Sequence, residues 1–156
     1  MEKAYFAAGC FWGVQAAFDR IPGVEATTVG YSGGTVENPS YEQVCSGNTG
    51  HAETVEVVYN EEEVSLHKLT DYFWTIHNPY SVNHQGPDVG TQYRSAIFYL
   101  DEDQKKQALA SKSDFEEEHA QKGPVATEIT EFTNFYPAEE YHQKYFQQRG
   151  ISACGV

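Results

Sequence analysis

The sequence predicts an α+β fold, a sheet with helices packed against it, in the leading order β-α-β-β-α-β. Three observations lead there. Short apolar or β-branched runs recur at residues 3–9, 24–31, 52–59 and 93–100. Two intervening segments carry apolar residues at helical spacing: Phe11, Val14, Phe18 and Ile21, then Leu66, Leu69, Phe73 and Ile76. Clusters of Gly, Pro, Asn and Ser separate the two periodicities. This order is the split βαβ, ferredoxin-like arrangement, with further helices and loops appended.

The elements follow in chain order. KAYFAAG (3–9) reads as a short buried strand ending at Gly9. The next helix is stopped by Pro22-Gly23, so Cys10 falls at or just before its first turn. VEATTVGY (24–31) is strand-like, and residues 32–51 form a long loop of the kind that is usually functional in compact domains. AETVEVVY (52–59) is a strand, Ser65 is placed to cap the second helix, and Asn78-Pro79 ends it. SVNHQGPDVGTQ (81–92) is a second functional-looking loop before the strand YRSAIFYL (93–100). Asp101 and Gln104 have the spacing of a capping box for a long polar helix over about 102–121. VATEITEF (125–132) is a further strand, and Pro137 fits the first position of a helix through AEEYHQKYFQQR. The tail from about residue 149 is expected to be mobile.

At 156 residues the chain fits one domain over 1–156 with a real core. No apolar run is long enough to span a bilayer, and the stretch before Cys10 is too short for a signal peptide, so a cytoplasmic location is expected. Ten basic against 23 acidic residues argue against nucleic acid or an anionic membrane as partner; the net charge of −13 serves solubility. The chain is expected to act as a monomer. Its cysteines are Cys10, Cys45 and Cys154, an odd number with no C-x-x-C spacing, which disfavours a disulfide framework or a structural zinc site. The histidines show no tight ligand spacing, so neither a metal nor a cofactor is expected. What remains is a reactive thiol and two further thiols that could partner it.

Cys10 stands in AAGCFWGV, between a glycine and two large aromatic residues. A thiol at a helix N-terminus feels the positive end of the macrodipole, which favours thiolate; a small buried hydrophobe is the plainer alternative. Glu53 shares its strand face with Val55, Val57 and Tyr59. If that is the core face, burial keeps the carboxyl protonated near neutral pH and makes it a proton donor; a place at the strand's fraying end would leave it in water. Tyr41, Tyr93 and Asp88 fall in or beside the long loops. A tyrosine hydroxyl can donate to an oxygen gaining charge, although with 11 tyrosines packing is the commoner use, and Asp88 suits a turn. Cys154 in the tail is either a chance thiol or a resolving one, and nothing local favours a role for Cys45.

Taken together, GCFWG (9–13), GYSGG (30–34), NPSYEQVCSGNTGHAE (38–53) and DVGTQYRSAIF (88–98), extended by TEI (127–129) and FYPAEEYHQKY (135–145), resemble the peptide methionine sulfoxide reductases of the A type. The resemblance implies a two-layer α+β sandwich that reduces the S epimer of methionine sulfoxide, free or in proteins, as a repair of oxidative damage. It implies Cys10 as nucleophile, Glu53 as the acid that protonates the sulfoxide oxygen, and Tyr41 and Tyr93 as hydrogen-bond donors to that oxygen. Phe11 and Trp12 become aromatic walls around the S-methyl group, and Asp88 helps hold substrate and ordered water. A sulfenic acid on Cys10 then condenses with Cys154, and thioredoxin reduces the disulfide; Cys45 is the weaker choice as resolving thiol.

Two other readings stay open on the sequence. A cysteine hydrolase or acyltransferase would pair Cys10 with His51 or His77. A non-catalytic peptide-binding module would use the Phe11–Trp12 surface.

Overall fold

The computed structural model describes residues 1–148; the tail expected to be mobile, and Cys154 within it, lie outside the described residues. The core follows the predicted order. Strand β1 (Glu2–Ala8) leads into helix α1 (Phe11–Asp19), then β2 (Val24–Ser32), a short helix α2 (Tyr41–Cys45), β3 (Ala52–Tyr59) and α3 (Leu66–Phe73). A small hairpin, β4 (His84–Gln85) and β5 (Asp88–Val89), precedes β6 (Ser95–Tyr99), the long α4 (Glu102–Glu118), β7 (Glu128–Glu131), β8 (Tyr136–Pro137) and a last helical turn α5 (Tyr145–Gln148).

The main sheet runs β7-β6-β1-β3-β2-β8. Its centre, β6-β1-β3-β2, is antiparallel throughout, with Phe6 opposite both Val55 and Ile97 and with Tyr31 opposite Glu53. Parallel β7 and antiparallel β8 extend the two edges. Strand β1 is buried on both faces, which is why AYFAA reads as an unbroken apolar run. One face carries the larger core, where Phe6, Val55 and Val57 meet Phe18 of α1 and Leu66, Leu69 and Phe73 of α3. The opposite face holds a smaller cluster of Tyr5, Ala7, Ala52, Ala96 and Phe98, covered by Phe132 and Phe135. Helices therefore lie against one face of the sheet, the layered α+β architecture expected.

Two expected elements are corrected. Residues 32–51 are not loop throughout. Ser40 accepts the Gln43 N–H and the Gln43 side chain accepts the Ser40 N–H, a capping box that starts α2 inside the segment. Nor does Pro137 begin a helix. It lies in β8 beside Gly30, and the Ala138 N–H continues the pairing to the Val29 carbonyl. The Gln143 side chain then occupies both polar groups of Val29, and Lys144 takes a left-handed φ of +52°, so only a 3₁₀ turn (Glu140–His142) and α5 remain helical.

Other boundaries moved by a few residues. Asp101 does accept the Gln104 N–H, but the Gln104 side chain accepts from Leu100 instead of Asp101. Gly9 is required where β1 turns into α1. Its φ is +95°, and a Cβ there would come within 2.8 Å of the Gln85 side chain. Gln85 in turn clamps Asn78 through both its amide atoms. The corner that carries Cys10 thus rests on the β4–β5 hairpin.

Candidate active site

Cys10 is the residue immediately before α1, at the end of a central strand and partly exposed. The amides of Trp12 and Gly13 favour its charged form, as a helix N-terminus should. They do not prevail. Burial first, then the Glu53 carboxylate, push the thiol up to about 12. The net push is upward, against the pull of the helix start.

Glu53 settles on the core side of its strand, 1% exposed among Val55 and Val57. Its Oε1 accepts the Phe11 N–H at 3.1 Å, an unpaired donor of the first turn of α1. Its Oε2 is buried with no hydrogen-bond partner among the described residues. Burial raises the carboxyl from 4.5 to about 8, with Asp88 adding to the rise and the Phe11 N–H opposing it. At neutral pH Glu53 is mostly a carboxylic acid, with one oxygen that none of the described groups bonds.

Around this pair stand the other predicted residues. The electrostatic influence of Glu53 reaches both Tyr41 and Tyr93, and Tyr93 also feels Cys10 and Asp88. Burial is the main cause that raises both phenols, which keeps them as O–H donors. Asp88, on β5, raises Cys10 and Glu53 alike. Phe11 is 1% exposed, its ring packed toward Tyr31, Tyr41 and His142. Trp12 is half-buried, stacked on Tyr145 at 3.7 Å and 9°, and it donates through Nε1 to His142 Nδ1 at 3.0 Å.

Three features escaped the sequence reading. Cys45 closes α2 beside the Tyr41 hydroxyl and within reach of Glu53's charge, so it borders the site. Glu139 accepts both the Tyr31 hydroxyl (3.0 Å) and the Tyr41 N–H (3.1 Å), tying the C-terminal segment to the start of α2. His142 lies buried against Phe11, Trp12 and Tyr41. All three sit in the motifs noted above, but the contacts of Glu139 and His142 cross from one end of the chain to the other and leave no local periodicity.

The histidines proposed as a base for Cys10 are engaged elsewhere. His51 Nδ1 accepts the Gly34 N–H, and Nε2 donates to the Val36 carbonyl at 2.7 Å. His77 bonds the Phe73 carbonyl and Ser95, and burial lowers it to about 4. The hydrolase reading thus loses its base. Among the described residues no group of histidine, cysteine and carboxylate side chains could hold a metal ion, and no helix is long and apolar enough to cross a membrane.

A thiol set against a protonated buried carboxyl and two phenols defines a thiol-dependent reductase site better than a Cys–His hydrolase. The comparisons with known proteins agree. The family model described as peptide methionine sulfoxide reductase matches residues 2–156. A peptide methionine sulfoxide reductase MsrA of Methanosarcina acetivorans is 56% identical over 97% of this chain and 80% of its own. Reduced Mxr1 of Saccharomyces cerevisiae superposes with a TM-score of 0.90 at 36% identity, covering 97% of this chain and 87% of that one. The same yeast protein in complex with Trx2 gives a TM-score of 0.65 at 27% identity, over 92% and 84%. The chain belongs to the peptide methionine sulfoxide reductase family and is an enzyme of that activity.

Proposed function

We propose that the protein reduces the S epimer of methionine sulfoxide, free or in proteins, by direct attack of Cys10 on sulfur. One observation carries this reading: the Oε2 of a Glu53 raised to about 8, buried with no partner among the described residues, on a carboxyl bonded to the helix start that follows Cys10. A sulfoxide has an electrophilic sulfur and a negative oxygen. As the Cys10 sulfur attacks, charge moves to that oxygen, and Glu53 supplies a proton there. Tyr41 and Tyr93 donate hydrogen bonds to it; one such donor is typically worth roughly 3–4 kcal/mol to the transition state.

The substrate's oxygen ends on Cys10 as a sulfenic acid, methionine leaves, and the proton displaced from the thiol restores Glu53. Sulfur is reduced by two electrons as the cysteine is oxidised by two. Trp12 and Phe11 bound the S-methyl group. A methyl-sized contact gains only about 0.8 kcal/mol, enough to orient a small substrate and not to bind it tightly. Asp88 holds substrate and ordered water.

Condensation of the sulfenic acid with the Cys154 thiol expels water and forms the Cys10–Cys154 disulfide. Thioredoxin then reduces that bond by thiolate exchange, a step supported by the Trx2 complex of the yeast relative. Repair of oxidised proteins in the cytoplasm is the setting this chemistry fits.

The test is methionine production from the separated S and R sulfoxides of an N-acetylated methionine amide, with dithiothreitol as reductant. Product from the S epimer alone is expected. Product from the R epimer, or from neither, contradicts the assignment.

A further inference from the structure

The contacts of Lys144 are more numerous than a surface lysine needs. Its ammonium donates to both Asp19 oxygens at 2.7 Å and to Thr27 Oγ1 at 2.9 Å, engaging all three protons. Its backbone N–H donates to Gln15 Oε1 at 2.7 Å. Gln15, itself buried, donates to the Thr27 carbonyl, and the Thr27 hydroxyl donates to Asp19. One closed polar network thus joins α1, β2 and the C-terminal segment. Lys144 holds a left-handed φ of +52° within it, a conformation that a residue with a side chain adopts only when its surroundings impose it.

The geometry of α1 gives the network a target. Trp12, Gln15 and Asp19 stand at i, i+3 and i+7, along one helix face. Lys144 is pinned to the second and third of these, so the next residue, Tyr145, arrives over the first. Its ring lies 3.7 Å from that of Trp12 and nearly parallel to it. His142, two residues before Lys144, takes the indole N–H from the other side. We propose that Lys144 is a positioning residue for substrate binding: its staple to Asp19, Thr27 and Gln15 sets Tyr145 and His142 against Trp12 and so fixes the orientation of the indole that bounds the substrate. The catalytic part of this statement rests on the assignment of Trp12 as substrate wall; the positioning part does not.

The test uses the full chain in a Trp74→Phe background, where Trp12 is the one remaining tryptophan. Lys144→Met removes the ammonium and keeps the stem. Asp19→Asn breaks the same pair from the helix side and leaves the Lys144 backbone untouched, so a folding defect in one variant does not decide the matter. Each variant is expected to raise acrylamide quenching of Trp12 about twofold or more. Each should also raise the half-saturating sulfoxide concentration in single turnovers roughly fivefold, with the limiting rate within about twofold. The double variant should be no worse than either single one, since both cut one link.

Raised quenching with unmoved half-saturation keeps the positioning role and overturns Trp12 as substrate wall. Quenching unmoved in both variants overturns the proposal.

Discussion

Cys10→Ser abolishes methionine production from the sulfoxide and leaves the protein folded. A hydroxyl is far less nucleophilic than a thiol, and nothing beside Cys10 would activate it: His51 and His77 are committed to Val36, Gly34, Phe73 and Ser95. Oxygen for sulfur is a small change at a partly exposed position at the head of a helix. The melting temperature should move little while turnover falls to background, read by chromatography of free methionine. Retained turnover would remove Cys10 as the nucleophile.

Glu53→Gln is expected to slow the first single-turnover step on the order of 100-fold or more, because the amide cannot supply the proton the leaving charge requires. The same residue sets the pH dependence. Wild-type attack needs Glu53 protonated, so its rate should fall as pH rises through about 8, and this limb should be absent from the variant. The contribution of Glu53 to stability also falls as pH rises, over a lower range. Glu53 is raised in the folded chain, so folding is most favoured below the ordinary value of 4.5, where the proton is bound in both states. That advantage is lost as pH climbs from 4.5 to about 8, since the unfolded chain ionises first. The glutamine variant escapes the loss and should melt higher than wild type at pH 8 while it reacts more slowly. An unchanged single-turnover rate would rule out Glu53 as the acid.

Much of this was legible from short-range pattern. The alternation of Glu53 with Val55 and Val57 put it on their face and left open a core place or a fraying strand end; the core place is the one found. The run AYFAA marked a strand covered on both sides, and Gly9 marked the turn before Cys10. The failures have a common physical cause. Helix α2 is five residues long and depends on a capping box inside a Gly- and Pro-rich stretch, too short for periodicity to register. The expected helix after Pro137 lost to long-range partners: Val29, Gln15 and Asp19 claim the backbone or side chains of Ala138, Gln143 and Lys144. Cys10 sits at a helix N-terminus as expected, yet burial first, and the nearness of Glu53 43 positions away second, push its thiol up against that end's pull. Glu139 and His142 reach the site by the same kind of contact between distant parts of the chain.

The central claim is that the substrate's oxygen passes to Cys10. The most direct measurement is peptide mass analysis of the Cys154→Ser variant after one equivalent of the S sulfoxide, with no reductant and with a sulfenic-acid trap present. The expected result is about one methionine released per enzyme and the trap bound to the Cys10 peptide in matching amount. Methionine released without modification of Cys10, or with the trap on Cys45 instead, would contradict it.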